Sequence, residues 1–370
     1  MKRSLTHRRS SVARAEMAAG AAATVAPSFV PPYPPSLIDR CIAWLDRRRY
    51  PAWAFLLIVA LLSFLVLTLV EWREGAYPPG TFQPVHAMAA AYGPFILWLI
   101  RTLDRSAARA ARQFRPALRA GVDPRTLEYE LTTLPRTPTL AVGAVSMVVI
   151  ALSALLFLED VRLLGLAPTP LSEAVAGTLL VTTWWITGVF VYHTVRQLVI
   201  IYRTYTRATR IDFFHLTPLY AFSHHTQRTA IAILVFVYFD FLVADPGLRV
   251  HPLNLAVGGT LTLLALVAFI GPLGGAHRLL TAEKTRLLDD NARRLEAGFH
   301  ELQRRMDALK LAGADDLNKT LNSLEIERAA LQRTATWPWE PGTIRGLAAA
   351  VLIPLIVWAV QALLQPQLAR

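Results

Sequence analysis

The placement of positive charge constrains this chain more than any other feature. The sequence carries about seven hydrophobic stretches near membrane-spanning length, at about 52–71, 83–101, 139–158, 174–201, 228–244, 253–271 and 343–364. Threaded as spans from a cytoplasmic N-terminus, they leave all but four of the 38 Lys and Arg residues on one side, the exceptions being Arg73, Arg162, Arg249 and Arg370. Cytoplasmic loops retain Lys and Arg as a membrane protein inserts, so the bias sets the orientation of the whole chain. The expectation is an all-α, polytopic transmembrane helical bundle of about seven spans in the cell (inner) membrane. Its N-terminus is then cytoplasmic and its C-terminus extracytoplasmic.

Composition agrees with a bilayer as the main solvent. Hydrophobic residues make up 54% of the chain and the mean hydropathy is +0.38, more than one soluble core of this length needs. A net charge of +12 would suggest nucleic acid in a soluble protein. Here the charge is spread over every expected cytoplasmic segment, where insertion already requires it, and nucleic acid is not an expected partner. The lone Cys41 permits no intramolecular disulfide and no cysteine metal site. Abundant Arg and Ala fit the codon usage of a GC-rich bacterial genome.

Four segments follow from the pattern. Residues 1–50 are a basic, Pro-rich cytoplasmic tail with Pro31, Pro32, Pro34 and Pro35, ending in a short amphipathic approach helix at 36–49. The tail starts too far from the first apolar run to be a cleaved signal. Residues 51–275 hold spans 1–6 with cytoplasmic amphipathic loops. Gly93-Pro94 should kink span 2, and Gly143, Ala144 and Ser153 should let a neighbour approach span 3 closely. Asp245-Pro246-Gly247 makes an outer turn, and Gly271-Pro272-Leu273-Gly274-Gly275 is a break at the inner surface. Residues 276–336 form a cytoplasmic coiled-coil-like hairpin, and 337–370 form span 7, with Trp337, Trp339 and Pro354, and the outer C-terminus.

The hairpin is read from two apolar seams. Leu288, Ala292, Leu295, Phe299, Leu302, Met306 and Leu309 step by four and three, as the a and d positions of a coiled coil do. Ala312-Gly313-Ala314 turns the chain, Asp315 caps the return helix, and Leu317, Leu321, Leu324 and Leu331 answer the first seam, with Arg328 in the intervening slot.

Two clusters are candidates for function. Arg101, Arg105, Arg109, Arg112, Arg115 and Arg119 fall within an arc of about 120° on one helix, opposite Leu103, Ala107, Ala110, Phe114 and Leu118. Such a face meets anionic lipid headgroups, or else an acidic partner or bound anion. Pro116 interrupts its last turn, and Asp123-Pro124 opens another short helix through Leu134. In span 4, His193, Arg196 and Gln197 lie at i, i+3 and i+4 and form an intramembrane polar site, with Thr178 and Thr182 continuing outward. The competing reading is that Arg196 snorkels to the inner interface.

No cofactor and no metal is expected. His215, His224 and His225, with Asp212, lie in one cytoplasmic stretch, but they lack the repeated His-rich groups that an intramembrane diiron site uses. No GxSxG, Walker A, GxGxxG or HExxH pattern occurs, and no catalytic residue is assigned. The functional expectation is a channel-like or sensor-like multi-pass protein that assembles as a homo-oligomer in contact with anionic lipid. A small anionic solute transporter and an intramembrane His-dependent enzyme are the alternatives.

Overall fold

The computed structural model describes residues 29–156, 169–213, 215–243, 252–309 and 313–352, apart from 340, 341, 343 and 347. The chain divides into two compact units, Met1–Tyr33 and Pro34–Arg370, and all the described helices lie in the second. Among the described residues there is no strand, only isolated bridges between Pro35 and Pro135 and between Leu118 and Thr209.

The first helix, α1 (Leu37–Asp46), begins at a reciprocal cap in which the Ser36 hydroxyl accepts from the Asp39 amide and Asp39 accepts from the Ser36 amide. The same Asp39 carboxylate also accepts the Leu134 amide at 2.9 Å, which fixes α1 against the chain 95 residues later. Pro51 then precedes α2 (Ala52–Arg73), apolar around its whole circumference. Next comes α3 (Pro84–Phe114), a 31-residue helix that runs through Pro94. It ends where Pro116 withdraws an amide, and Arg115–Ala117 tightens into a 3-10 turn. Asp123 caps α4 (Pro124–Thr132), with Pro124 at its first position as the sequence predicts.

The apolar α5 (Arg136–Leu156) leads to α6 (Pro170–Ala208), whose 39 residues make it about 58 Å long. The helix α7 (Thr217–Val243) starts eleven residues before the expected span, because Thr217-Pro218 can open a helix. Gly271-Pro272 separates α8 (Pro252–Ile270) from α9 (Leu273–Asp307), the break read from sequence. The return helix α10 (Ala314–Arg333) begins after Gly313 at φ +77°. Gly313 therefore takes the cap position expected for Asp315, which sits with Asp316 in the first turn, where a carboxylate favours the helix dipole.

Three helical stretches are long and apolar enough to cross a membrane, Ala52–Arg73, Pro170–Ala208 and Gly258–Asp307, and Arg136–Leu152 is a shorter apolar helix. The seventh expected span falls largely on residues outside the described ones, as do Asp245-Pro246-Gly247, Arg162, Arg249 and Arg370. Bilayer compatibility shows on the surface. Leu57, Ile58, Leu61, Leu62, Leu65 and Val66 on α2 are each at least 50% exposed, and Val145, Val148 and Leu152 on α5 and Leu263 and Val267 on α8 continue that belt. An aqueous surface rarely carries so broad an apolar helix face as that of α2.

The core gathers around α3. Ile96, Leu99, Ile100 and Leu103 pack against Val189 and Phe190 of α6 and Ile233 and Leu234 of α7. Further along, Phe114, Tyr205 and Phe222 close a second cluster, and the Tyr205 hydroxyl donates to the Leu219 carbonyl at 2.5 Å. Close approach of α5 to α6 needs two glycines. A methyl added at Gly143 would stand 2.1 Å from Trp185 Nε1, and one at Gly188 would stand 1.8 Å from Ser146 Oγ.

The helices α9 and α10 pair antiparallel, with Leu295 and Leu321 buried between them. Their register differs from the expected seam. Leu288 and Leu302 are half-buried, but Asn291, not Ala292, is buried at the next position, and Phe299 and Met306 are 47% and 57% exposed. Gly298 explains the rotation: it lies so close to Leu321 that an added methyl would stand 2.6 Å from a Leu321 methyl. Asn291 Nδ2 donates across the pair to the Leu324 carbonyl at 3.0 Å and to Glu327 at 3.1 Å. At the root of the pair, Gly275 packs on Tyr202 and Thr206 of α6, and Arg278 donates to the Tyr202 hydroxyl at 2.7 Å. A ladder of rings spans the break between α8 and α9: Phe269 stacks on Trp339, Trp339 on Trp337 at 4.5 Å, and Trp337 on His277 at 4.1 Å.

Candidate functional site

Two of the three polar residues predicted in span 4 meet a partner that the sequence reading passed over. Asp104 lies at the edge of the arginine arc on α3, where the helix face turns from solvent to interior. Its Oδ1 lies 2.7 Å from His193 Nε2, with the His193 side chain 1% and the Asp104 side chain 13% exposed. The Gln197 side-chain amide donates to the Leu131 carbonyl at 2.7 Å and reaches the same Asp104 oxygen at 3.4 Å. Arg196 takes another direction. Its guanidinium donates to the Glu130 carbonyl and, at 3.3 Å, to the Thr133 carbonyl. Arg196 and Gln197 thus close the C-terminal end of α4, whose last carbonyls have no partner inside the helix and carry the negative end of its dipole.

The third wall is α7. His225 is fully buried there, and Arg228 reaches Ser106 Oγ of α3 at 3.4 Å. Burial first, and then the nearby positive charges of His193 and Arg228, lower the His225 pKa to about 3. Burial also raises the Asp104 pKa, against the pull of His193, while Asp39 and Asp46 on α1 push it the same way as burial. Four buried polar atoms of the cluster have no protein partner: His193 Nδ1, Gln197 Oε1 and both His225 ring nitrogens. Thr194 lines a small enclosed space of about 10 Å³ with Thr187, Phe190 and Ile233. That is room for about one water.

The chain matches no family model, no curated protein and no solved structure.

The arginine arc is largely engaged within the chain. Arg101 and Arg105 pair with Asp46 of α1 at 2.6 and 3.0 Å, and Arg112 and Arg115 pair with Glu128 of α4 at 2.5 and 3.1 Å. Arg119, beyond the 3-10 turn, donates to the Thr209 and Arg207 carbonyls and stitches the end of α3 to the end of α6. Arg109 donates back to the Arg105 carbonyl. The side chains of Arg105, Arg112 and Arg115 remain about half exposed, so the arc still presents charge outward.

The histidines predicted as a stretch separate. His215 forms an exposed pair with Asp212 at 3.1 Å, His224 is exposed, and His225 turns into the core. Among the described residues no group of three His, Cys, Asp or Glu side chains is arranged to hold a metal ion.

A second buried acid lies at the other end of α6. Glu71, the last buried residue of α2, is fully enclosed and accepts from Ser172 Oγ at 2.5 Å. Nearby, the Tyr77 hydroxyl meets His86 Nε2 at 2.7 Å, and burial together with the Glu71 charge pushes the Tyr77 pKa up to about 12. The signal for Glu71 was a carboxylate closing an otherwise apolar run. The signal for Asp104 was a carboxylate among arginines, one face away from their arc.

Proposed function

We propose that the chain is a seven-span homo-oligomeric protein of the cytoplasmic membrane, N-terminus inside, that acts as a sensor. The observation that carries this reading is the buried polar cluster of Asp104, His193, Gln197 and His225, which joins α3, α6 and α7 and ties them to the end of α4. Polar groups enclosed at such a junction favour one arrangement of the helices, and a change in their state biases the alternative arrangement. The same helix, α6, continues from His193 to Tyr202 and Thr206, where the α9–α10 pair takes its footing. The cluster and the cytoplasmic hairpin are thereby connected through one unbroken helix, the geometry of a stimulus site and an output.

A carrier for anionic solutes draws less support. The arginines that suggested it hold Asp46 and Glu128, and the space beside Thr194 suits a water rather than a solute. The exposed flank of the arc instead meets anionic headgroups at the inner leaflet.

Double electron–electron resonance on the full chain in lipid nanodiscs tests the reading. With Cys41 replaced by Ser, spin labels at Arg203→Cys and His300→Cys report the position of the hairpin relative to α6. The expected result is a shifted distance distribution on adding Asp104→Asn and none on adding Asp212→Asn, a change at an exposed carboxylate. Identical distributions in the two variants would remove the sensor reading, and Asp104-dependent ion flux into liposomes without hairpin movement would replace it with a channel.

A further inference from the structure

We propose that Asp104, His193 and His225 together bind one proton, and that this proton is the stimulus; the inference rests on the sensor reading above. The argument begins with what neutralises Asp104. Its Oδ1 faces His193 Nε2 at 2.7 Å, and the cations around it are directed to other partners. Arg101 and Arg105 hold Asp46 of α1, Arg196 is turned to the carbonyls of Glu130 and Thr133 at the end of α4, and Arg228 of α7 reaches Ser106. From α1, Asp39 and Asp46 add negative potential at the site. A proton on His193 makes a charge-assisted hydrogen bond to Asp104 and balances the pair, and its removal leaves a carboxylate in a closed site with no other cation among the described residues bonded to it.

The upper limit comes from α7. A second proton on His225 would face the first one on His193 and the guanidinium of Arg228, inside a fully buried setting. Zero protons leave an uncompensated anion and two leave an uncompensated cation, so one is the balanced occupancy. The step itself is simple: hydronium gives up a proton, one N–H bond forms on a histidine, and water is left in solution. His193 Nδ1 and the bare ring nitrogen of neutral His225 have no protein partner, so either can take that proton without breaking an existing hydrogen bond.

The test is histidine titration by nuclear magnetic resonance. The full chain, isotope-labelled at its imidazoles and reconstituted in nanodiscs, is titrated from pH ~4 to ~9, a range that brackets ordinary imidazole values. Resonances are assigned by single His→Gln changes, and exposed His215 serves as the internal reference. In the wild-type chain His225 should stay neutral throughout. In Asp104→Asn, His193 should release its proton at a pH at least ~1 unit lower. In His193→Gln, His225 should take up a proton at higher pH than in the wild type. Should either variant fail to reconstitute, the wild-type titration decides alone, because proton uptake by both His193 and His225 within that range overturns the proposal. Midpoints unchanged in both variants overturn it as well. Coupled titration without hairpin movement leaves the proton site standing and ends the sensor reading, and hairpin movement with independent histidines does the reverse.

Discussion

Arg196 and Gln197 sit one residue apart on α6 and serve the same end of α4, yet their removal should differ. Replacing Arg196 by Met frees two carbonyls that water can reach and should cost about 1 kcal/mol. Replacing Gln197 by Leu strands a buried carbonyl and one side of Asp104, and should cost about 2 to 3 kcal/mol. Thermal unfolding of the purified chain in detergent compares the two, and equal losses would mean that the Gln197 contacts contribute nothing beyond capping. His193 and Gln197 were legible in the sequence because two polar residues four apart on one face of an apolar helix require a partner. The partner was not legible. Asp104 is 89 residues away, and a single carboxylate beside six arginines reads as part of a solvated face until the packing of α3 against α6 turns it inward.

At the level of elements, the α9–α10 pair shows what periodicity resolves and what it leaves open. Steps of three and four identify the helix and its partner. They do not choose between the stripe through Ala292, Phe299 and Met306 and the stripe through Asn291, Gly298 and Arg305, which lie one residue apart. Close approach at Gly298 chooses the second. Leu295→Asp should therefore dissociate the pair, while Phe299→Ser and Met306→Ser should leave it intact, as measured by hydrogen exchange along α10. Acid should act on α9. Arg305 and Arg304 hydrogen bonds hold Glu301 below its ordinary pKa, and the Arg293 hydrogen bond does the same for Asp290. A carboxylate with a lowered folded value stabilises the helix above its unfolded value and loses that contribution as pH falls through the folded one. Exchange protection near Glu301 should thus be constant at neutral pH and decline only below about 4. Between α5 and α6 the glycine signal was readable for Gly143, and its counterpart Gly188 emerged only from the packing. Gly188→Val should push α5 off Ser146 and cost about 1 to 3 kcal/mol by overpacking.

For the whole molecule, the charge asymmetry and the exposed apolar faces of α2, α5 and α8 agree on a bilayer, and a fusion experiment reads the number of crossings. A reporter active only outside the cytoplasm should work after Arg370 and fail when placed before Ala52. The same side for both would make the number of spans even. The all-helical character was legible from hydropathy because a chain in lipid has to satisfy its backbone within each segment. The ring ladder from Phe269 to His277 was not, because its middle members, Trp337 and Trp339, arrive from the far side of the hairpin. That ladder clamps a lever. Beyond the Gly271-Pro272 break, α9 extends 35 residues, about 52 Å, so each degree of tilt at the break moves the far tip by about 0.9 Å. A slip of one Trp ring against its neighbour, too small to disturb the core, would sweep the tip of the hairpin through several ångströms.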